Sequence, residues 1–138
     1  MNKAVIHIYD SLNSLLSIVF SHVKQDDVII FESNPSFTDN TRYVFEEMLH
    51  RGLNAKYKMY WIARDGTNIS NITKNGNCFV LPSTHSSLIK QTVNTIKKAY
   101  IFSKAKCIIS CNVFQPKYTG RKQYYVHLNH GASNKNSI

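Results

Sequence analysis

His130 and Gly131 form a His-Gly pair directly beyond a strand-forming run at residues 124–128. The glycine lets the backbone turn sharply at a strand end, which leaves the imidazole exposed. An imidazole titrates close to neutral pH, so a histidine in this position can act as a general base. A polar loop histidine would have the same local sequence, and the pair alone leaves both interpretations open. We interpret His127, inside the run, as a core histidine or as a residue that supports the site.

Four residues have the types of a zinc site: Cys107, Cys111, His127 and His130. On a strand the two cysteines would lie about 13 Å apart, at roughly 3.3 Å per residue, which is too far for one ion. The sequence therefore predicts no metal site, and we expect the cysteines to pack as small hydrophobic side chains. No cofactor is predicted either, because the GxGxxG and GxxxxGK[ST] patterns of nucleotide-binding loops are missing.

The charge of the chain favours an anionic partner. Its 138 residues include 17 Lys and Arg but only 8 Asp and Glu, a formal net charge of +9. Nucleic acid, an anionic membrane surface and a phosphate-bearing substrate all fit such a charge. Residues 97–122 interleave basic and aromatic side chains, a pattern that could bind single-stranded nucleic acid but that we interpret as a solvated helix face over an aromatic core. No nucleic-acid motif is present, so we expect no nucleic-acid partner, and a non-catalytic basic binding module remains the alternative function.

The elements that must position these residues alternate between strands and helices. Strands are predicted at residues 28–31, 58–63, 78–81, 107–110 and 124–128, and helices at 10–24, from 38 or 39 to 51, and from 83 or 84 to about 104. Residues 64–77 are predicted to form a loop. This alternation predicts an α/β fold, a Rossmann-like, mostly parallel sheet flanked by helices.

Apolar spacing predicts one buried face on each helix. The predicted faces are Leu12, Leu15, Leu16, Val19, Phe20 and Val23; Tyr43, Val44, Met48 and Leu49; and Leu88, Ile89, Val93, Ile96 and Tyr100. The first helix is predicted to be too short and too polar to span a bilayer, and membrane contact is its less favoured use. With no secretory signal and an odd number of cysteines, we expect a cytoplasmic location.

Several segments, taken in order, are similar to one enzyme family. They are Phe31-Glu32-Ser33, residues 37–45, Tyr60-Trp61-Ile62, residues 103–109, and residues 125–131 with Lys135. Their order and spacing resemble the amino-terminal lobe of the CDP-glycerol glycerophosphotransferases, the teichoic acid primases and polymerases of bacterial envelopes. The resemblance implies a GT-B-like enzyme with two Rossmann-like lobes. Residues 28–138 would form the first, acceptor-side lobe, and residues 1–27 a helical segment packed on it.

The resemblance also implies a reaction and a site. The family moves glycerol phosphate, or a related polyol phosphate, from CDP-glycerol to a hydroxyl of a lipid-linked or polymeric acceptor, in teichoic acid or capsule synthesis. His130 would be the general base. The substrate-binding candidates are Gly131, Lys135, Arg121, Ser33, Asp39 and Asn40. The last three follow the first sheet strand, where capping and turn formation explain them equally well.

The chain also differs from the family. Asn129 stands where a tryptophan commonly precedes the His-Gly pair, although Lys135 keeps its register. The second lobe, which in the family supplies most of the CDP-glycerol site, is outside these residues. We therefore expect a lobe truncated at its carboxyl end and inactive alone, peripheral to the inner face of the membrane, where the +9 charge suits anionic lipid.

Overall fold

The computed structural model describes residues 2–64, 67–83, 87–111 and 122–129. Within these ranges the strands are β1 Val28–Glu32, β2 Lys58–Ala63, β3 Cys78–Pro82, β4 Ala105–Ser110 and β5 Tyr124–His127. The helices are α1 Lys3–Val19, α2 Asp39–His50, α3 Ser70–Thr73 and α4 Leu88–Lys104, with 3₁₀ turns at Phe20–His22 and Leu53–Ala55. All strand pairs are parallel, in the order β3-β2-β1-β4-β5. The predicted fold class is confirmed.

The strand order reverses between β1 and β4. The chain first proceeds from β1 to β2 and β3 on one side, then returns to place β4 and β5 on the other. Ligands of open α/β sheets bind outside the carboxyl ends of the strands at such a reversal. The carboxyl ends of β1 and β4 therefore mark where a site is expected.

An aromatic cluster fills the sheet face that α2 and α3 cover. Phe31 of β1 stacks on Trp61 of β2 with ring centroids 5.5 Å apart, and Phe45 of α2 meets both rings edge-on at 5.2 and 5.7 Å. Phe37, from the loop before α2, approaches Trp61 at 5.2 Å. These side chains are buried, and offset and edge-on aromatic pairs add stability beyond the area they bury. The cluster anchors α2 across β1 and β2.

The opposite face of the sheet packs against α4. Val28, Ile30 and Ile108 contact Phe102 of α4 in a second buried cluster. The amino-terminal helix α1 lies on α4, where Phe20 follows it and meets Tyr100 edge-on at 5.5 Å. The two helices therefore form the outer layer on this side of the sheet.

The first helix does not span residues 10–24 as the sequence analysis predicted. It begins at Lys3, because the Asn2 side chain accepts a hydrogen bond from the Ala4 backbone N–H at 3.2 Å and so caps the helix. It ends at Val19 and passes into the 3₁₀ turn. The capping asparagine was the missed signal.

The predicted buried face of α4 is wrong. Its apolar stripe is 40 to 78% exposed, and the buried residues are Asn94, Thr95, Ala99, Phe102 and Ser103. The hydroxyls of Thr95 and Ser103 donate to the carbonyls of Gln91 and Tyr100, so these small side chains face the sheet with their polar atoms satisfied. Apart from Phe102, the residues that α4 buries are small or polar, and the predicted apolar stripe points outward.

Two other helix faces also differ from the prediction. In α1, Leu16 is buried while Leu15 and Val19 are 57% and 56% exposed, and in α2 Tyr43 is 70% exposed. An 18-residue stretch within the 20 residues Lys3–His22 has a mean hydropathy of 1.3, so by length and composition this segment is long and apolar enough to cross a membrane. The prediction that this segment is too short and too polar is therefore wrong on composition, although core helices and signal sequences meet the same criterion.

The predicted loop at residues 64–77 contains the short helix α3. Two residues before its start, Asn68 Oδ1 accepts hydrogen bonds from the backbone N–H and the hydroxyl of Ser70, at 3.2 and 2.6 Å. The single buried side chain of α3, Ile72, packs into the aromatic face of the sheet. One apolar residue among asparagines was too weak a pattern to predict this turn of helix.

Candidate active site at the carboxyl edge of the sheet

Ser33 holds the loop that leaves β1. Its side chain is buried, its hydroxyl donates to the Pro35 carbonyl at 2.9 Å, and it accepts from the Thr38 backbone N–H at 3.1 Å. Thr38 in turn donates to the same carbonyl at 2.6 Å. Ser33 therefore shapes the turn, the role that the sequence offered beside acceptor binding, and its contact with an acceptor stays a prediction.

The amino terminus of α2 meets the end of β5. Asn40 donates from Nδ2 to the backbone carbonyl of Asn129 at 2.7 Å. Asp39, the first residue of α2, has a φ of 56°, a left-handed conformation that aspartate tolerates better than most residues. The structure thus brings Asn40 and Asp39 next to the residue that directly precedes His130.

The remaining predicted site residues, His130, Gly131, Lys135 and Arg121, lie outside the described residues. The structure does place β5, the strand that precedes His130 and the residues after it in the sequence. The backbone N–H of Leu128 donates to the Ser110 carbonyl at 2.8 Å, which continues the pairing of β4 and β5 just past β5. The core interpretation of His127 is wrong, because its side chain is exposed.

The cysteines pack as the sequence predicted. Cys78 and Cys111 are buried, Cys107 is partly buried, and Cys111 Sγ lies 2.8 Å from Thr41 Oγ1, which ties the end of β4 to α2. Burial raises the pKa of Cys78 to about 11, so this thiol is protonated at neutral pH and a poor nucleophile or metal ligand. Across the described part of the chain, no three His, Cys, Asp or Glu side chains form a metal-binding group.

Glu32 was not among the site residues predicted from the sequence. It ends β1, and strand alternation puts it on the α4 side of the sheet, with Ile30. Its Oε2 is buried and has no hydrogen-bond partner in the described part of the chain. Burial raises the pKa of Glu32, while the nearby charges of Arg64 and Lys98 act in the opposite direction. An acidic residue closing a continuous apolar run was the available signal.

Two cations stand near Glu32 without forming an ion pair with it among the described residues. Lys98 of α4 donates from Nζ to the Ser83 carbonyl at 3.2 Å, and burial lowers the pKa of Lys98. Arg64 follows β2 and donates from Nη1 to Asn34 Oδ1 at 3.2 Å. The carboxyl edge therefore collects one carboxylate and two positive charges from separate elements.

The raised pKa of Glu32 predicts how stability changes with pH. The folded protein binds this proton more tightly than the unfolded chain, so ionisation of Glu32 costs stability as the pH rises from the ordinary value of 4.5 through the raised one. We expect Glu32→Gln to unfold at a higher temperature than the original protein at neutral pH. The difference should vanish at about pH 4, where Glu32 is protonated in both states.

Thermal unfolding at the two pH values checks this prediction, with Glu47→Gln as the matched control. A hydrogen bond from Arg51 lowers the pKa of exposed Glu47, so this variant should gain no stability at neutral pH. Equal melting temperatures of Glu32→Gln and the original protein at neutral pH would contradict the prediction.

Comparison with known proteins decides the family. A family model described as CDP-Glycerol:Poly(glycerophosphate) glycerophosphotransferase matches residues 14–136. The chain belongs to this family. The family that the sequence motifs resembled is therefore confirmed, and it is a family of glycerophosphotransferases. Among curated proteins, no sequence match to this chain was found.

Solved structures of the wall teichoic acid polymerase TagF share the fold. A histidine-to-alanine variant superposes with a TM-score of 0.60 at 18% identity, over 93% of this chain and 29% of the TagF chain. A histidine-to-asparagine variant gives 0.54 at 17% identity, over 94% and 30%, and the same variant soaked with CDPG gives 0.55 at 19%, over 94% and 31%. The chain thus spans less than a third of the length of TagF, a GT-B enzyme, and has the fold of that part.

Proposed function

We propose that this chain is the acceptor-side lobe of a transferase that moves glycerol phosphate, or a related polyol phosphate, from CDP-glycerol to an acceptor hydroxyl. The acceptor is a lipid-linked or polymeric molecule of teichoic acid or capsule synthesis. Family membership supports the reaction class. The observation that carries the acceptor-side role is the hydrogen bond from Asn40 to Asn129, because it brings the loop region after β1 against the residue before His130.

In the proposed reaction His130 takes the proton of the acceptor hydroxyl as its oxygen attacks the phosphorus that bears the glycerol. The new phosphorus–oxygen bond forms while the bond to the bridging oxygen breaks, and CMP leaves with that oxygen. A base of near-neutral pKa and positive surroundings for the phosphates suit this displacement. Lys135 and Arg121 are proposed to supply positive charge, and Gly131 to let the acceptor approach.

CDP-glycerol is proposed to bind mainly through a second lobe, so these residues alone should be inactive. Release of CMP from CDP-glycerol by the intact protein, stimulated by a glycerol phosphate polymer, would support the function. No release under any acceptor condition would contradict it.

We also propose that the outer layer of α1 and α4 rests on the anionic inner face of the cell membrane. Both helices expose apolar side chains, among them Ile18 at 68% and Ile89 at 78%. An open groove of about 290 Å³ along α4 has Ile89 and Val93 in its lining and Lys90 and Lys97 beside them. Apolar side chains next to lysines suit the boundary between acyl chains and anionic headgroups.

Liposome sedimentation tests the membrane proposal. The double variant Lys90→Glu and Lys97→Glu should weaken binding to anionic vesicles by roughly tenfold or more, since each lysine near such a surface is worth about 1 kcal/mol. Lys74→Glu, which changes an exposed lysine next to α3 on the other side of the sheet, is the matched control and should bind as before. Equal sedimentation with anionic and neutral vesicles would remove the proposal.

A further inference from the structure

Glu32 occupies an unusual position at the end of the central strand. Among the residues that the structure describes, its buried Oε2 has no hydrogen-bond partner, and no ion pair includes Glu32. Buried polar atoms nearly always have partners, and a desolvated carboxylate without one costs folding free energy. The residue as a whole is only partly buried, and it ends β1 at the carboxyl edge of the sheet. A group that lowers the folding stability at this edge indicates that a ligand binds there.

The two cations around Glu32 have hydrogen-bond donors to spare. Lys98 uses Nζ on the Ser83 carbonyl, and Arg64 uses Nη1 on Asn34, while an ammonium has three donor hydrogens and a guanidinium five. Ser83 donates its backbone N–H to the Ala63 carbonyl, next to Arg64, and Asn34 lies two residues after Glu32, so these hydrogen bonds bring both cations to the end of β1. The three side chains come from β1, α4 and the end of β2, so the fold gathers them from distant parts of the sequence.

The position of this group relative to β5 suggests what part of a substrate it meets. Glu32 is in register with Ser110 of β4, and Ser110 with His127 of β5, on one face of the sheet. Two strand spacings separate the ends of β1 and β5, about 10 Å. An acceptor whose terminal hydroxyl lies at the end of β5 would present a preceding unit near β1.

We propose that Glu32, Lys98 and Arg64 form a binding site for an internal polyol phosphate unit of the acceptor. A hydroxyl of that unit donates to the Glu32 carboxylate, and its phosphate oxygens accept from Lys98 and Arg64. One hydroxyl donor beside an anionic phosphate matches one carboxylate beside two cations. This inference rests on the proposed function and adds to it the residues that recognise the acceptor away from the reacting hydroxyl.

Binding of two small probes to the intact protein tests the site. Glycerol 3-phosphate has both a hydroxyl and a phosphate, whereas inorganic phosphate lacks the polyol. Glu32→Leu should raise the Kd of glycerol 3-phosphate about tenfold, which is the effect of losing a charge-assisted hydrogen bond. Glu32→Gln should raise this Kd less, because its amide oxygen still accepts a hydrogen bond. Neither variant should weaken the binding of inorganic phosphate, since each removes a negative charge that repels the phosphate.

Lys98 and an exposed lysine on the other side of the sheet provide the matched pair for the phosphate part. Lys98→Met should weaken the binding of both probes, and Lys74→Met, next to α3, should weaken the binding of neither. Three results would overturn the site. Glu32→Leu could weaken the binding of both probes equally, it could weaken the binding of neither, or the original protein could fail to bind glycerol 3-phosphate. Circular dichroism establishes that each variant is folded, and Glu32→Gln keeps the shape of the original side chain.

Failure of this site and failure of the proposed function give different results. If Glu32→Leu releases CMP with the original KM for a glycerol phosphate polymer, the proposed binding site is wrong and the proposed transferase function is unaffected. If the probes bind as expected but the intact protein releases no CMP, the site stands and the transferase is wrong.

Discussion

Replacing His130 by asparagine in the intact protein is expected to lower the turnover number of CMP release by roughly 10²–10⁴-fold, the usual contribution of a general base. Asparagine fills similar space but cannot take the proton of the attacking hydroxyl at neutral pH. The KM for CDP-glycerol should change little, because the donor is proposed to bind mainly through another lobe. Steady-state kinetics with CDP-glycerol and a glycerol phosphate polymer measure both quantities.

His50→Asn is the matched control for this variant. His50 is exposed at the end of α2, and α2 runs away from the carboxyl edge of the sheet, so the same substitution there should leave turnover within about twofold of the original. Unchanged turnover in His130→Asn would refute the assignment of the base. A loss confined to KM would make His130 a binding residue instead.

The largest expected effect on stability belongs to Phe45→Ala. The ring of Phe45 is completely buried and meets those of Phe31, Phe37 and Trp61 at 5.2 to 5.9 Å. Removing it leaves a cavity between α2 and the sheet and should cost about 3–5 kcal/mol of unfolding free energy. Thermal unfolding should then occur about 10 °C lower or more.

Tyr43→Ala controls for the loss of an aromatic residue from the same helix. Tyr43 is 70% exposed, so its removal should change the unfolding free energy by about 0.5 kcal/mol or less. Trp61, the single tryptophan of these 138 residues, lies in the aromatic cluster and reports its unfolding by fluorescence. Similar losses in the two variants would contradict the packing described for α2.

The strands were predictable because of where they lie. A strand covered on both faces has apolar residues at every position, so runs such as Val28-Ile29-Ile30-Phe31 stand out in the sequence. Their parallel pairing followed from the alternation with helices. The register between strands did not, because the pairing of Glu32 with Ser110 joins residues far apart in sequence.

The helix faces show the limit of periodicity. Apolar spacing indicates that α4 is a helix but not which of its sides the sheet covers. In α4 the small and hydroxyl residues, including Asn94 and Ala99, face the strands, while Leu88 and Ile89 face outward. The same spacing serves a buried core and an outer apolar surface, so the sequence alone could not separate them.

The candidate site was predictable in part. Asn40 was chosen from its place after the first sheet strand, and the structure brings it to Asn129. Glu32 was not, because only the fold brings Lys98 and Arg64 to the end of β1 and leaves Oε2 without a partner within the described ranges. The carboxyl ends of parallel strands meet at one edge of the sheet, so a position just after a strand was enough to choose Asn40. The neighbours of Glu32 come from distant parts of the sequence and could not be predicted in this way.

The decisive experiment follows labelled glycerol phosphate from CDP-glycerol to a glycerol phosphate polymer with the intact protein. Label should enter the polymer, CMP should appear in equal amount, and both should stop when His130 is replaced by asparagine. CMP release without transfer of label, or transfer that His130→Asn leaves unchanged, would contradict the proposed function.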